Sequence, residues 1–370
     1  MTDAVTESLA ARLLHHREDA MTPGASIAPP IVPAAIYHLP GMPTAADQYG
    51  RWTNPTWTAL EDALALIEDA DCVVVPSGMA AIASVLLTQT KPGDRIMIPA
   101  DGYYTTRSLA EKYLAPNGVR IEPVATTELE SADFAGAKLV YAETPSNPGL
   151  DICDLDLVIR RAKAAGALVV VDNTTSTPFG QRPLDLGADV VIASDTKAPN
   201  GHSDVLMGHV ASRNASIIQA VRDWRKFVGA IPGQFEAWLV HRGLETLDVR
   251  FDRMCTTAQT IAERLSTHAA IKSVKYPGLA SHPRYDLARK QMLRFGSVLS
   301  LTLADAKAAD QFITNAKFIL PATSFGGVHT SAERRARWGD QVPEGFVRLS
   351  IGVEPTEALW ADIAASLATV

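Results

Sequence analysis

The sequence predicts an α/β fold, with a mainly parallel sheet in a large domain and a smaller C-terminal α+β domain. Three observations carry this expectation. From residue 58 onward, short apolar runs alternate with helical patterns, the arrangement of a parallel sheet covered on both faces. The runs ending at Asp172 and Ala193 are rich in Val and Ile, as buried strands are. After residue 210 the alternation gives way to long helical patterns, and strand-like runs return only near 297 and 348.

The elements follow in order. Residues 1–45 read as an arm, with one short helical pattern and then a stretch interrupted by Pro23, Pro29, Pro30, Pro33, Pro40 and Pro43. Those prolines exclude a long helix and leave an extended segment whose Ile31, Val32 and Ile36 call for a second surface, such as a partner subunit. Residues 46–245 form the expected large domain. It has helices over 58–70 and 77–90, and strands over 72–75, 95–98, 138–143, 167–172 and 189–193. Helical patterns over 216–247 and 252–268 follow. Residues 246–370 make the smaller domain, with strands over 297–303 and 348–353.

The bulk chemistry narrows the class. A net charge of −7 and only 20% charged residues give no nucleic-acid footprint. The one dense basic cluster, Arg334-Arg335-Ala336-Arg337, is expected to be a solvated helix face. Three dispersed cysteines suit neither a disulfide framework nor a metal site. Asp3 and Glu7 precede any apolar run, and no segment has the length of a membrane span, so a cytoplasmic protein is expected.

The chemistry concentrates at predicted strand ends, where ligands bind in such sheets. Lys197 follows the strand 189–193 and is flanked by Ser194 and Thr196. Packing explains a lysine there poorly, whereas an amine near apolar walls loses basicity and can attack an aldehyde. Asp172 closes the preceding strand, either as a cap or as a carboxylate for a protonated pyridine nitrogen. Ser77-Gly78-Met79 opens a helix after a strand, a weak anion-binding signal alone. With Ser194 and Thr196 it makes a plausible phosphate cup. Tyr103 is either packing or a stacking platform. Arg348, inside an apolar strand, needs either an internal acid or a substrate carboxylate. No G-x-G-x-x-G follows a predicted strand, and Gly201-His-Ser203-Asp-Val205 lacks the last glycine of a nucleophile elbow.

These residues resemble the Cys/Met-metabolism family of pyridoxal-phosphate enzymes, the cystathionine γ-synthases, cystathionine β- and γ-lyases and methionine γ-lyases. The resemblance runs from about Tyr49 to Val353. Ser194-Asp-Thr-Lys197 with Asn200-Gly-His-Ser-Asp-Val-Leu-Met-Gly208 carries most of it. Tyr49-Gly-Arg51, Asn54-Pro-Thr56, Glu143-Thr-Pro-Ser-Asn147-Pro148, Val171-Asp172-Asn173, Ser324-Phe-Gly-Gly327 and Arg348-Leu-Ser-Ile-Gly352 support it. It implies the fold type I of pyridoxal-phosphate transferases, similar to aspartate aminotransferase, and pyridoxal 5'-phosphate as cofactor. Lys197 would hold the cofactor and shuttle protons, with Asp172 on the ring nitrogen, Tyr103 stacked on the ring and Asn147 at its hydroxyl. Gly78, Met79, Ser194 and Thr196 would bind the phosphate, joined by Tyr49 and Arg51 of a neighbouring subunit in a homotetramer of two dimers. Arg348 with Ser324 would hold the substrate carboxylate, and Arg107 a distal one. The implied reaction is γ-elimination on a sulfur amino acid, cystathionine first. The alternatives are γ-replacement on an activated homoserine and methionine γ-elimination. Ala198 in place of an aromatic, a shortened Tyr103 loop, His329 in place of a glutamate and a missing cysteine after the ring tyrosine leave the substrate preference mixed.

Overall fold

The computed structural model describes residues 2–370, and side chains from residue 8 onward except Ala20. Helix α1 (Thr2–His15) buries Leu9 and Leu13 against α2 (Pro55–Glu68). Helix α2 starts where its sequence allows: Asn54 accepts the Thr56 N–H as a cap, and Pro55 takes the first helical position. Between the two helices the Pro-rich stretch has almost no regular structure. It is tied to its own chain by Val32 N–H to Thr56 Oγ1 (2.9 Å) and Trp238 Nε1–H to Pro29 O (3.0 Å). Its Ile27, Ile36 and Met42 stay exposed.

The large sheet is assembled from β1 (Asp71–Val75), β2 (Arg95–Pro99), β3 (Arg120–Val124), β4 (Ala137–Glu143), β5 (Leu168–Asp172), β6 (Val190–Ala193) and β7 (Gly208–Ser212). Helices α3 (Gly78–Gln89), α4 (Tyr104–Leu109), α5 (Leu155–Ala164) and the short α6 (Thr177–Gly180) lie between strands. The spatial order is β1-β7-β6-β5-β4-β2-β3, parallel except for β7, which runs against both neighbours. Two strands escape sequence reading. β3 is a half-exposed edge strand containing Pro123, and β7 is fully buried but built from Gly208, His209 and Ser212 beside Val210 and Ala211.

Alternation along the strands sorts the core. Val140, Val169, Val171 and Val191 face one cluster; Tyr141, Val170, Val190 and Ile192 face the other, under α3. Asp172 and Glu143 share the parity of Val170 and Tyr141, so both carboxylates emerge on the α3 side at the strand ends.

The helical pattern at 216–247 is two helices, α7 (Ala215–Val228) and α8 (Gln234–Leu244). Gly229 ends the first in the left-handed region, and Pro232-Gly233 prevents continuation. Helix α9 (Leu247–Ser266) starts earlier than expected: its Leu247, Phe251 and Cys255 pack on the large core, while Ala258, Ile261 and Leu265 pack on the small one. Helix α9 thus bridges both cores, and position 245, where a boundary is expected, lies just before it. Beyond it, β8 (Ser273–Lys275), β9 (Val298–Thr302), β10 (Leu320–Pro321), β11 (Ser331–Arg334) and β12 (Phe346–Ser350) form a second sheet in the order β10-β11-β12-β9-β8.

The basic cluster is not a solvated helix face. Arg334 ends β11, and Arg335 is buried, paired with Glu333 (2.8 Å) and Asp340 (2.7 Å). Only a three-residue turn, Ala336–Trp338, is helical there. Among the described residues, no helix is long and apolar enough to cross a membrane, and no group of side chains could hold a metal ion.

Candidate active site

The turn after β6 presents Lys197 at the carboxyl end of the parallel strands. Its Nζ donates to Ser324 Oγ at 2.8 Å and lies 5.0 Å from the Phe325 ring centre. Burial, then the Arg348 cation, lowers its pKa to about 8 against the opposing pull of Asp172 and Glu333. About a tenth of the amine is therefore unprotonated at pH 7, far more than for a lysine of ordinary basicity.

One strand away, Asp172 Oδ2 accepts the Tyr141 hydroxyl at 2.8 Å, and Oδ1 accepts Thr174 N–H at 3.0 Å. Burial raises its pKa; Thr174, Tyr141 and the Lys197 charge pull it back. Tyr141 is pushed far up by burial and by the carboxylates of Asp172 and Glu143, so it stays a phenol and a donor. Glu143 is the register partner of Asp172 across β4 and β5, and burial followed by that charge raises its pKa too. Its two oxygens receive Tyr103 N–H (2.8 Å) and Asn147 N–H (2.7 Å). One carboxylate thus fixes both loops that carry expected site residues. The fit leaves no slack: a Cβ on Gly102 would sit 2.6 Å from Glu143 Oε2.

Arg348 of β12 stands opposite Glu333 of β11. Its guanidinium donates to Asn147 Oδ1 (2.7 Å), Ser324 O (2.9 Å) and Glu333 Oε2 (3.0 Å). Burial, then the Arg335 cation, lowers its pKa to about 10. The internal acid that the sequence left open is therefore Glu333. Ser324, at φ 78°, joins the halves by accepting Lys197 on Oγ and Arg348 on its carbonyl.

The segments expected to form a phosphate cup lie side by side. Ser77 caps α3 through Ala80 N–H (3.1 Å), which leaves the amides of Gly78 and Met79 in the first turn without helical acceptors. A Cβ on Gly78 would lie 2.6 Å from Ser194 Cβ and 2.9 Å from its Oγ, so only glycine lets these two segments meet. Thr196 Oγ1 accepts Met207 N–H at 3.1 Å.

Other expected residues sit apart. Tyr103 is 37% exposed, and its ring packs edge-on against Tyr104. Arg107 Nη1 holds the carbonyls of Pro99 (3.2 Å) and Gly102 (3.1 Å) beneath the Tyr103 loop. Arg51 lies 5.4 Å from the Tyr49 ring centre and donates to Lys226 O, and neither residue bonds to Lys197, Asp172 or Arg348 of its own chain. His329 is exposed, and Ala198 is buried against Gly326. Reading the residues one at a time passed over Tyr141, the role of Glu143, Glu333, and Arg250. The buried Arg250 guanidinium donates to Ala198 O (2.8 Å), Pro199 O (3.2 Å) and Gly243 O (2.7 Å), holding the chain just after Lys197.

A lysine of lowered basicity, a buried carboxylate on the next strand and a glycine-lined helix start together match the three demands of pyridoxal phosphate: an amine, a partner for its ring nitrogen and an anion cradle. The comparisons agree. The sequence profile of the family described as Cys/Met metabolism PLP-dependent enzyme matches residues 11–368. A Streptomyces coelicolor protein provisionally named a cystathionine gamma-lyase is 50% identical over 341 residues, 90% of this chain and 87% of the relative. The L-methionine gamma-lyase of Treponema denticola is 38% identical, covering 86% and 84%. Among solved structures, metB of Corynebacterium glutamicum superposes with a TM-score of 0.94 at 36% identity, over 98% of each chain. A cystathionine gamma synthase from Xanthomonas oryzae pv. oryzae, in complex with cystathionine, gives 0.93 at 36% identity over 97% of each. The match spans both sheets and every segment that builds the site, and the chain belongs to the Cys/Met-metabolism family of PLP-dependent enzymes.

Proposed function

We propose that the enzyme catalyses γ-elimination on cystathionine, converting it with water to cysteine, 2-oxobutanoate and ammonia. One observation carries the reading: Lys197 and Arg348 converge on Ser324, so a carboxylate held by the arginine places its Cα beside the lysine amine. When bound, pyridoxal phosphate supplies an electron sink for a carbanion at Cα. The chain supplies the rest. Arg348 and Ser324 orient the α-carboxylate, with Asn147 steadying the arginine. Lys197 Nζ, its basicity lowered by burial, would take the Cα proton, hand that proton on to the bound cofactor, and only then take one from Cβ, a proton it can return to the departing γ-sulfur. Asp172, braced by Tyr141 and Thr174, would pair with the ring nitrogen, and Tyr103 would cover the ring. The cup of Gly78, Met79, Ser194 and Thr196 takes the phosphate.

The test is incubation of purified holoenzyme with L-cystathionine and detection of 2-oxobutanoate and ammonia. Their absence, with cofactor bound, defeats γ-elimination of cystathionine. A second reading, γ-replacement joining cysteine to an activated homoserine, is favoured by the near-complete overlap with the cystathionine gamma synthase structure. It is recognised by cystathionine formation from those two substrates.

Tyr49 and Arg51 act on the neighbour's cofactor phosphate in a homotetramer of two dimers, with the arm lying across the partner. The exposed Ile27, Ile36 and Met42 support this, as does the separation of Arg51 from its own Lys197. Arg51→Ala and Lys197→Ala proteins, each impaired alone, should regain activity when mixed under conditions of subunit exchange. Continued inactivity after demonstrated exchange counts against a shared site. The three buried free cysteines are compatible with a reducing, cytoplasmic setting.

A further inference from the structure

A fully buried charged set lies directly behind the phosphate cup. His209 Nδ1 faces Asp195 Oδ1 at 2.8 Å, and Nε2 faces Glu68 Oε1 at 3.4 Å, with all three side chains nearly inaccessible. Asp195 sits between the two hydroxyl residues of the cup, and its Oδ2 has no partner. Glu68 is the last residue of α2, and His209 belongs to β7, opposite Ala193.

The stretch Met207–His209 touches both halves of the cup. Thr196 and Met207 are bonded through Thr196 N–H to Met207 O (3.2 Å) and Met207 N–H to Thr196 Oγ1 (3.1 Å). Gly208 backs onto the other half: a Cβ there would lie 2.6 Å from Ser77 O and 2.7 Å from Gly78 N. Asp195 and His209 fasten the ends of this zipper. Burial disfavours a charged imidazole, but Asp195 and then Glu68 outweigh it and raise the His209 pKa to about 10. The set is thus a carboxylate–imidazolium–carboxylate row. Desolvating such a row is costly, and apolar side chains would fill the same space in β7 without that penalty.

We propose that His209, gripped by Asp195 and Glu68, is a positioning residue that sets the distance between Ser194–Thr196 and Gly78–Met79, and so tunes the cup to the cofactor's phosphate. This rests on the reading of those four residues as the phosphate site. The row makes no bond to the Lys197 or Arg348 side chain, so its main effect is expected at the phosphate end.

The experiment compares dissociation of pyridoxal 5'-phosphate with that of pyridoxal, which lacks the phosphate, followed by visible absorbance of the loaded enzyme. The variants are His209→Gln, the paired Asp195→Asn with His209→Gln, and Ser194→Ala as a control on the cup. In both His209 variants the phosphorylated cofactor should weaken about tenfold, the size expected of partners that orient a binding group, with pyridoxal unchanged. Equal weakening of both ligands would mean general loosening and overturns the proposal. Unchanged affinity in the His209 variants, with Ser194→Ala selectively weakened, overturns it while leaving the cup intact. A Ser194→Ala protein with no phosphate-selective loss removes the cup reading and this inference together. Should neither His209 variant fold, Glu68→Gln decides: a phosphate-selective loss of about twofold or more supports the proposal, and unchanged affinity overturns it.

Discussion

Replacing Lys197 by alanine should lower turnover by at least about 10⁴-fold and abolish covalent attachment of the cofactor. Among the described residues, no other amine neighbours this position. Arg348 shares the pocket but stays protonated, and the remaining polar neighbours of Nζ are a hydroxyl and two carboxylates. The amine's lowered pKa gives the prediction a pH arm with a definite sign. Only the unprotonated amine attacks an aldehyde, so uptake of pyridoxal phosphate by cofactor-free protein should quicken as pH rises and level off above about 8. Lysine of ordinary basicity would still be quickening near pH 10. Stopped-flow absorbance reads both effects. An alanine variant that keeps its covalent band and its turnover sinks the assignment of Lys197, and a flat pH dependence sinks the account of its basicity.

Replacing Arg348 by methionine should lower kcat/KM about 10²–10³-fold, mostly through KM. The fork is held by three acceptors from three segments, Asn147, Ser324 and Glu333, so its direction is set before substrate arrives. Arg335 remains on Glu333, so the lost cation does not strand that buried carboxylate. Arg348→Lys should recover little, because an ammonium cannot reproduce a planar two-donor grip. Steady-state kinetics on the same sulfur amino acid check this. A methionine variant with unchanged KM would place the α-carboxylate elsewhere.

The residues proposed to be reactive are legible in the sequence because each is announced locally. Lys197, Asp172 and the Gly78 turn stand at the ends of short Val- and Ile-rich runs, and strand direction in a parallel sheet sends such ends to one edge. Arg348 was legible as a cation out of place, although its partner was not. The Arg334–Arg337 cluster was misread because a run of charges looks solvated until the opposing strand is known. Pairing β11 with β12 puts Glu333 against Arg348 and draws Arg335 inside. The break between α7 and α8 was signalled by Gly229 and Pro232-Gly233, but the helical pattern on either side concealed it.

The sequence by itself determined which groups are proposed for the chemistry: a lysine amine, an aspartate, a glycine-containing helix start and an arginine, each singled out by residue type and by its place in or at the end of a strand or helix. Tertiary structure alone decided how these groups are held. Glu143 reaches both the Tyr103 and the Asn147 amides only because β4 and β5 are in register at Glu143 and Asp172. The row Glu68–His209–Asp195 exists only because β7 runs antiparallel between β1 and β6, beside the end of α2. Those contacts join residues distant along the chain, and their geometry depends on register and crossing, which residue type and local spacing do not encode.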